Sequence, residues 1–453
     1  MKVSIVGAGY VGITTGVALA YLGHTVTLLD SDASKIDLLR QGKFPIYEPF
    51  LEEFAALAQS RLRYTTNADE AHTGADLIFI AVGTPPLADG NPDLSYLRAA
   101  ATAIGERLGD SFTVVVNKST VPIGCGNWVE SLVRESFEAH NGERSKGRFS
   151  VASNPEFLRE GSALHDSLYP DRVVVGSDDP RALECLYNLY RPVVEQTFPA
   201  PSFLPRPESL GAVPLITTNL ASAELVKYAA NAFLALKISF INEVAQLAEK
   251  VGADATQISK GIGLDARIGT RFLQAGIGWG GSCFGKDTSA LIATAREYNL
   301  TMPIVAAARE VNYRQRDRVL EKLLGTLKIL KGRTIGLLGL AFKPQTDDLR
   351  DAPALDIARR LMERGAKVRA HDPIALDRAR RECDASLGLV ESVEQLATEA
   401  DALVLVTEWP QYRDLPWAKL AGVMRTPLLL DGRNFLPQAT LEAAGFQYIG
   451  MGR

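Results

Sequence analysis

The pattern of apolar and polar positions predicts the strands and helices of the first part of this chain. Short apolar runs of strand length lie between segments with helical spacing, and these runs cover residues 3–6, 25–29, 77–82, 113–117 and 149–152. Strands that alternate with helices in this way are typical of a parallel, doubly wound sheet. We therefore predict an α/β domain over residues 1–215.

A different pattern follows, and the first pattern then returns. Residues 219–251 form one long run with alanine, leucine and isoleucine at helical spacing, and strand patterns resume at 334–338, 367–371, 402–407 and 427–430. The predicted fold class is therefore α/β, with two Rossmann-like doubly wound domains joined by a long central helix and helical block. We place this helical domain at 216–330 and the second α/β domain at 331–453. Ligands commonly bind in a cleft between such domains, and we expect a ligand site there.

One proline-rich passage interrupts the pattern before the long helix, at Pro199, Pro201, Pro205, Pro207 and Pro214. Segments of this composition commonly run over the surface, so we predict an exposed loop without a role in function.

Composition and charge favour small-molecule partners. The chain has 453 residues, 46% of them hydrophobic, and a formal net charge of −4, so it has no basic field for nucleic acid or an anionic membrane surface. The first residues read as a strand rather than a secretion signal, and no apolar run reaches the roughly 20 residues that span a bilayer. We therefore expect a cytoplasmic protein. Its four cysteines lack Cys-x-x-Cys spacing, which favours a reducing compartment, and no metal site is expected.

A glycine-rich turn after the first strand indicates dinucleotide binding. In Gly7-Ala8-Gly9-Tyr10-Val11-Gly12, the first glycine suits a tight turn, the second a close approach of pyrophosphate, and the third close helix packing. Asp30 ends the second strand, where a carboxylate can accept a hydrogen bond from the adenosine ribose and repel a 2′-phosphate. The motif therefore predicts NAD rather than NADP. Lys35 either reaches the adenosine side or is a solvated surface lysine.

Two further loops follow apolar strands, and both are candidates for the nicotinamide or sugar site. They are Val82-Gly83-Thr84-Pro85 and Lys118-Ser119-Thr120-Val121-Pro122. The carboxyl ends of strands border the ligand crevice of a doubly wound sheet. Ordinary turn chemistry also explains the glycine and prolines.

Two pairs of polar residues at a spacing of four suggest catalytic groups. Glu156 and Glu160 would point to one side of a helical turn and suit a general base or water-orienting role, although a solvated charged turn is the alternative. Lys227 and Asn231 are set in a mostly apolar helical run. A buried lysine is costly unless it has a partner, so this pair favours a function.

The segment Gly280-Gly281-Ser282-Cys283-Phe284-Gly285-Lys286-Asp287 adds a candidate nucleophile. It comes directly before a helical run at 288–298, and a thiol at a helix N-terminus can have a lowered pKa. Its glycines would let a substrate approach the backbone. Asp287 is either a catalytic acid or a helix-start acid favoured by the dipole. A cysteine nucleophile combined with a dinucleotide site predicts oxidation through a thioester.

Charged turns of the second α/β domain are candidates for a phosphate site. Lys343 and Arg350 follow its first strand and could clamp a pyrophosphate, and Asp431-Gly432-Arg433-Asn434 ends its last strand. Arg267 and Gly278-Trp279-Gly280 could contact a sugar or phosphate.

Taken in order along the chain, these motifs resemble the nucleotide-sugar 6-dehydrogenases, most closely those that act on UDP-glucose. The matching segments are 7–12, 82–85, 118–122, 154–161, 227–231, 280–287, 342–343 and 431–434. The resemblance implies an NAD-dependent, four-electron oxidation of a sugar C6 alcohol to a carboxylate by a homodimer. It leaves open other substrates, namely dTDP-glucose, GDP-mannose or a UDP-N-acetylhexosamine.

The resemblance, together with the motifs, gives three groups of expected site residues. The catalytic group is Cys283, Lys227, Asn231, Asp287, Glu160, Glu156 and Thr120. The NAD-binding group is Gly7, Gly9, Tyr10, Val11, Gly12, Asp30, Lys35, Val82, Gly83, Thr84, Ser119, Thr120, Lys286 and Arg350. The substrate-binding group is Glu156, Phe157, Leu158, Arg159, Glu160, Lys227, Asn231, Arg267, Phe272, Gly280, Phe342, Lys343 and Arg433, with Arg267 implied to reach the substrate of the partner subunit.

Two other classes of protein remain as alternatives. A dehydrogenase of the 2-hydroxyacid type would use Lys227 and Asn231 for a single hydride transfer and needs no cysteine. A non-catalytic NAD-sensing protein would bind NAD without turnover, and it leaves the Cys283 segment without a reason. A short-chain sugar epimerase is disfavoured because the chain has no Tyr-x-x-x-Lys motif.

Overall fold

The computed structural model describes residues 1–85, 87, 92–142 and 144–453. They form two compact units, one of Met1–Ala229 with Ser289–Glu297, the other of Ala230–Thr288 with Tyr298–Arg453. Each unit contains one large sheet, and two helices contribute residues to both units.

The first unit is built on an eight-stranded sheet with the order β3-β2-β1-β4-β5-β6-β7-β8. Its neighbouring strands are parallel in the described part of the chain except β6 and β7, which meet in antiparallel fashion at Ser153 and Gly176. Its elements are β1 (Lys2–Val6), α1 (Tyr10–Tyr21), β2 (Thr25–Leu29), α2 (Ala33–Arg40), α3 (Leu51–Ala58), β3 (Leu62–Thr65), α4 (Ala68–His72), β4 (Leu77–Ile80), α5 (Ser95–Gly105), β5 (Thr113–Asn117), α6 (Cys125–Asn141), β6 (Phe149–Ser153), α7 (Ala163–Leu168), β7 (Val173–Gly176), α8 (Pro180–Val194), β8 (Leu215–Thr218) and the beginning of α9 (Leu220–Val251).

The second unit contains a six-stranded parallel sheet with the order β11-β10-β9-β12-β13-β14. Besides the rest of α9, its elements are α10 (Ala255–Gly263), the start of α11 (Phe284–Glu297), α12 (Pro303–Leu327), β9 (Thr334–Leu338), α13 (Pro353–Glu363), β10 (Lys367–His371), α14 (Leu376–Glu382), β11 (Gly388–Leu389), α15 (Val393–Ala397), β12 (Ala402–Leu405), α16 (Trp417–Val423), β13 (Leu428–Asp431), α17 (Gln438–Ala443) and β14 (Gln447–Ile449).

The central strands are buried on both faces, which explains their continuous apolar sequences. Along β5, Val114 and Val116 belong to one hydrophobic core and Val115 to another on the opposite face of the sheet. A strand covered on both sides by helices needs apolar residues at every position rather than at alternate ones. The α/β fold class, with two Rossmann-like sheets and a long central helix, is therefore confirmed.

Two expectations about the first unit are corrected. The sheet is not wholly parallel, because β6 and β7 run in opposite directions. The proline-rich passage is also not merely an exposed loop: Phe203 packs edge-on against Phe54 at 5.1 Å between ring centroids, and the backbone oxygen of Leu204 accepts a hydrogen bond from the Tyr169 hydroxyl. Its aromatic and aliphatic side chains cover the core beside α1 and α3.

Within the described part of the chain, no helix has the combination of length and apolar character that crossing a membrane requires.

Candidate active site

The glycine-rich turn has the geometry expected for a dinucleotide. Gly7 has φ +103°, in the left-handed region, and a side-chain carbon on Gly12 would lie only 1.8 Å from the Gly7 carbonyl oxygen. At Gly9, by contrast, a side-chain carbon would meet open space, as the close approach of a pyrophosphate requires. The N-terminus of α1 follows at once. This turn therefore fits NAD.

Asp30 lies directly beside this turn. Its carboxylate accepts hydrogen bonds from the Ala8 backbone N–H at 2.8 Å and from Lys35 Nζ at 3.0 Å. The carboxylate is thus fixed at the end of β2, where the prediction places the adenosine ribose. Lys35 is therefore not a fully solvated lysine: it pairs with Asp30, and its side chain is 28% exposed.

Tyr10 connects the glycine-rich turn with the segment 154–161 through a residue that the sequence did not single out. The Tyr10 hydroxyl donates a hydrogen bond to Glu48, and both accept a hydrogen bond from the Gly161 backbone N–H, at 2.9 and 2.8 Å. Glu48 is buried, which raises its pKa above the ordinary value. Val11, the next residue of α1, is half-buried. Nothing in the sequence singles out Glu48, which lies between Tyr47 and Pro49 in a segment without regular secondary structure.

The two candidate loops after β4 and β5 are joined by hydrogen bonds. The Thr84 hydroxyl donates to the backbone oxygen of Thr120 at 3.0 Å, and the Ser119 hydroxyl donates to that of Val82 at 2.7 Å. Gly83 is exposed between them. The structure thus brings these predicted NAD-binding residues to one edge of the sheet.

Glu156 and Lys227 form a buried ion pair. Lys227 Nζ lies 2.9 Å from Glu156 Oε1 and 2.6 Å from the Glu156 backbone oxygen, and the two side chains are 5% and 8% exposed. The partner that a buried lysine needs is therefore present. The expected helical turn at Glu156 and Glu160 is wrong, because residues 154–159 have no regular secondary structure. Pro155 disfavours a helical backbone at the residue before it, and the ion pair with Lys227 holds the Glu156 side chain in place.

Lys118 is a second buried cation close to this pair, and it was named above only as the first residue of the loop 118–122. Its Nζ donates to Asn154 Oδ1 at 2.9 Å, and the same oxygen accepts the Tyr190 hydroxyl at 2.6 Å. Burial lowers the pKa of Lys118 to about 8, with the charge of Glu156 acting against the shift and that of Lys227 adding to it. Burial also acts to raise the pKa of Glu156, but Lys227 and the hydrogen bonds outweigh it and the pKa lies below its ordinary value.

The rest of the segment 154–161 is held by local contacts. The Leu158 backbone N–H donates to Glu156 Oε2 at 2.7 Å, so both carboxylate oxygens of Glu156 have partners. The Phe157 ring lies beneath the guanidinium of Arg172 at 3.6 Å. Arg159 makes a two-pronged ion pair with Asp166 at 3.0 and 2.6 Å, and Glu160 is half-buried in the turn that follows.

In the second unit, Cys283 stands directly before α11 and its thiol is exposed. Its backbone oxygen accepts the Asp287 N–H at 2.8 Å, and its Sγ lies 3.6 Å from the Ser282 hydroxyl. The helix begins at Phe284, four residues earlier than the sequence pattern suggested. Cys283 is therefore at the positive end of the helix, as the hypothesis of a nucleophilic thiol requires.

Asp287 is fully buried in the first turn of α11 and has two donors. Asn231 Nδ2 donates to its Oδ2 at 2.6 Å, and Lys286 Nζ lies 2.5 Å from its Oδ1. An acid favoured only by the helix dipole would be exposed, so this contact favours a specific role for the side chain. Asn231 is one turn beyond Lys227 on α9.

The glycines before Cys283 have a structural reason different from the one expected. A side-chain carbon on Gly280 would lie 2.2 Å from the backbone oxygen of Asp351, and one on Gly281 would lie 2.6 Å from the Phe342 ring. The Gly281 N–H also donates to the backbone oxygen of Arg350 at 3.1 Å. The glycines thus permit close packing of protein on protein, a requirement that sequence reasoning attributed to the substrate.

The remaining candidates of the second unit fall into two sets. Arg433 binds the backbone oxygen of Gly278 at 2.9 Å and so fixes the loop before Cys283, while Phe272 lies edge-on to Phe284 at 6.3 Å. The others are near the surface: Arg267 is 89% exposed and paired with Asp265, Arg350 is 55% exposed and paired with Asp348, and Lys343 Nζ lies 5.5 Å from the Phe342 ring centroid.

Comparisons with known proteins agree along the whole chain. The models of three domains of the UDP-glucose/GDP-mannose dehydrogenase family match it: the NAD binding domain at residues 1–194, the central domain at 221–314 and the UDP binding domain at 336–438. The chain is 43% identical to the UDP-glucose 6-dehydrogenase TuaD of Bacillus subtilis (strain 168), over 100% of this chain and 93% of that protein.

Two further relatives extend this similarity. The UDP-glucose 6-dehydrogenase of Rhizobium meliloti (strain 1021) is 43% identical over 100% of both chains. The solved structure of a UDP-glucose dehydrogenase from the hyperthermophilic archaeon Pyrobaculum islandicum has a TM-score of 0.88 and 41% identity, and the match covers 100% of this chain and 97% of that one.

Proposed function

This chain belongs to the UDP-glucose/GDP-mannose dehydrogenase family, and we propose that it oxidises UDP-glucose to UDP-glucuronate through a thioester on Cys283. It is an NAD-dependent oxidoreductase. The observation that carries the proposal is the exposed Cys283 thiol at the start of α11, one turn from the buried Asp287–Asn231 pair. The reaction consumes one water and yields two NADH for each sugar.

The residues that would hold the cofactor are those of the first unit. Gly9 leaves space for the pyrophosphate, Asp30 is fixed for the ribose, and the loops with Thr84 and Thr120 are proposed to hold the nicotinamide half. Lys286 and Arg350 are further proposed contacts. When bound, NAD accepts a hydride from the sugar carbon in each of the two oxidations.

The first oxidation needs a group that takes the proton of the C6 hydroxyl and a group that stabilises the oxygen left behind. We assign the proton to Asp287, whose carboxylate is oriented by Asn231 and Lys286. Lys227 and Asn231, one turn apart on α9, stabilise the oxyanion by charge and by a hydrogen bond. Glu156 acts through Lys227, because both of its oxygens are already bound.

Cys283 then retains the aldehyde. Its sulfur adds to the aldehyde carbon and gives a thiohemiacetal, and this adduct becomes a thioester in the second oxidation. Tethering the aldehyde gives an effective molarity worth roughly 7 kcal/mol or more over a free aldehyde, so release should be negligible. A water activated by Glu160 adds to the thioester carbon, the thiolate leaves and the uronate forms.

Binding of the nucleotide sugar is assigned to the segment 156–160 and to side chains of the second unit. The proposed contacts of the second unit are Phe272, Gly280, Phe342, Lys343 and Arg433, and the match of the UDP binding domain model to 336–438 supports a role of this region. The predicted domain boundaries, 1–215, 216–330 and 331–453, remain a proposal.

We also propose that the enzyme is a homodimer through α9. Phe233, Phe240 and Leu247 recur every seven residues on this helix and are 61%, 51% and 63% exposed, an apolar stripe of the kind that a partner covers. Arg267, which is exposed, would reach the substrate of the partner subunit. Sedimentation of the wild type should give twice the chain mass, and replacing Phe240 by Glu should give monomers; a wild-type monomer would exclude the dimer.

The test of the function is the number of NADH formed for each sugar. With limiting UDP-glucose, dTDP-glucose, GDP-mannose or a UDP-N-acetylhexosamine, we expect two NADH per molecule and the highest kcat/KM for UDP-glucose. One NADH per molecule would favour the dehydrogenase of the 2-hydroxyacid type. NAD binding without turnover of any sugar would favour a sensing protein.

A further inference from the structure

Glu224 is a buried carboxylate that the proposed mechanism does not use. It lies on α9 one turn before Lys227, and its side chain is 3% exposed. Its two oxygens accept hydrogen bonds from the backbone N–H groups of Gly124 at 2.7 Å and Gly126 at 2.8 Å. A charged side chain buried on a helix face needs such partners, and here both are backbone groups at the start of α6.

The contacts of Glu224 replace a local cap of α6. This helix begins at Cys125, its N-cap residue Gly124 has φ +93°, and no side-chain cap is formed from the N-cap position. The first N–H groups of a helix have no partner within it, and negative charge there complements the helix dipole. A serine or aspartate at the N-cap could supply this locally. Instead, a residue 98 to 100 positions away along the chain supplies it.

The close fit around Glu224 leaves little freedom for this start of α6. A side-chain carbon on Gly126 would lie 3.2 Å from Glu224 Oε1 and 3.0 Å from Leu220, a residue of the same helix as Glu224. Even a methyl group would push the carboxylate or Leu220 aside. The beginning of α6 is therefore held against the first turns of α9.

The loop with Ser119 and Thr120 enters α6 directly. Its last residues turn into the helix, where the Cys125 N–H donates to the backbone oxygen of Pro122 at 3.1 Å. The other end of the loop is bound to the loop after β4 through Ser119 and Thr84. Glu224 thus fixes the end of this loop next to α6, whereas the hydrogen bonds of Ser119 and Thr120 hold the end next to β5.

We propose that Glu224 is a positioning residue that sets the Thr120 loop relative to Lys227, three residues along the same helix. This inference rests on the proposed function, in which that loop holds the nicotinamide half and Lys227 stabilises the oxyanion. A shift of the loop end would misplace the nicotinamide relative to Lys227, and small misplacements of reacting groups lower reaction rates strongly. Both oxygens of Glu224 are bound to backbone N–H groups, so its effect is carried by the backbone of Gly124 and Gly126.

The test compares Glu224→Gln, Glu224→Asp and a matched control, Asp401→Asn. Asp401 is a fully buried carboxylate that also accepts a backbone N–H, from Thr334 at 2.8 Å, and it pairs with Arg333 at 2.9 Å. It lies in the second unit and is not one of the predicted site residues. Glutamine keeps the size of the side chain and replaces one carboxylate oxygen by an NH2 group, which cannot accept a hydrogen bond from a backbone N–H. In assays above the pKa of about 7 that burial gives Glu224, where the carboxylate is ionised, we expect E224Q to raise KM for NAD and lower kcat, each by about tenfold. This is the change that loss of one charge-assisted hydrogen bond produces. KM for UDP-glucose should change less than twofold.

The three variants separate positioning from general destabilisation. E224D keeps the charge and should recover part of the affinity for NAD, while D401N should lose thermal stability with wild-type KM values. Equal kinetic effects in E224Q and D401N, wild-type kinetics in E224Q, or failure of both Glu224 variants to fold would overturn the positioning role. If the wild type turns over no nucleotide sugar, the proposed function fails, and NAD titration by fluorescence still tests Glu224, since E224Q should bind NAD more weakly than the wild type and D401N should not.

Discussion

Asn231 donates a hydrogen bond from its Nδ2 to Oδ2 of Asp287 at 2.6 Å, and the two residues are 8% and 0% exposed. This contact joins α9 to the first turn of α11, directly after Cys283. Because Lys286 binds the other carboxylate oxygen at 2.5 Å, the orientation of Asp287 is fixed by two donors. The proposed proton acceptor therefore depends on an amide 56 residues away in the chain.

Replacing Asn231 by Leu removes this donor at nearly constant volume. Asp287 Oδ2 is then buried without the amide, so we expect a loss of about 1–3 kcal/mol in the free energy of unfolding. We also expect kcat to fall by about a hundredfold or more, because the oxyanion loses a donor as well. Steady-state kinetics and urea unfolding measure the two effects.

Asn242→Leu is the control variant. Asn242 Oδ1 accepts the Gly276 N–H at 2.7 Å, so the variant should lose stability but keep the wild-type kcat. Equal loss of kcat in both variants would contradict the assignment.

Replacing Lys227 by Met leaves the buried carboxylate of Glu156 without its cation. Removal of one partner of a buried ion pair costs about 3–5 kcal/mol, and the pKa of Glu156 should rise. The double variant Lys227→Met, Glu156→Leu should recover most of the stability but none of the activity, because only the stability loss comes from the unpaired charge. Chemical unfolding of both variants with activity assays provides the measurement. Recovery of activity in the double variant would exclude a direct role of Lys227.

Glu224 makes stability depend on pH near neutrality. Burial raises its pKa from the ordinary 4.5 to about 7, although the two backbone hydrogen bonds oppose the shift. The pKa of Glu224 is higher in the folded than in the unfolded protein, so the protonated carboxyl stabilises the fold. This stabilisation is fully present below the unfolded pKa and is lost as the pH rises through the folded pKa. As the pH rises from 4.5 to 7, the free energy of unfolding of the wild type should therefore fall by up to about 3 kcal/mol relative to that of Glu224→Gln. Urea unfolding at several pH values measures this difference, and a constant difference would contradict the shift.

Asp30 should determine the choice between NAD and NADP. Its carboxylate, fixed by Ala8 and Lys35, would repel a 2′-phosphate. For Asp30→Ser we expect kcat/KM to fall about tenfold with NAD and to rise with NADP, because one hydrogen bond and one repulsive charge are lost together. Asp32→Ala is the control, since Asp32 caps α2 and should not change the preference. An unchanged ratio of the two kcat/KM values in the Asp30 variant would refute its role.

Local sequence patterns predicted the fold class and several strands, but they did not predict which distant residues contact each other. The strands at 113–117 and 334–338 were predicted to the residue because buried strands need continuous apolar sequences. The strand Leu62–Thr65 was missed, since its polar residues and edge position give no such run. The partner of Lys227 could not be foreseen, because Glu156 is 71 residues away and was expected in a helical turn.

The candidate site shows the same limit. The sequence identified Asn231 and Asp287 as separate candidates, and only the structure shows that they bind each other. Gly281 was expected to make room for a substrate, whereas its close neighbour is the Phe342 ring. Lys118 was named only as part of a candidate loop and Glu224 was not singled out, and the structure shows that both are buried.

The role of Cys283 is tested by the amount of UDP-glucuronate that Cys283→Ala forms. Cys383→Ala is the matched control, because Cys383 is a half-buried thiol outside the proposed site. With UDP-glucose and excess NAD, we expect no acid from the Cys283 variant and a wild-type amount from the Cys383 variant. Acid formation by Cys283→Ala at the wild-type rate would contradict the thioester on Cys283.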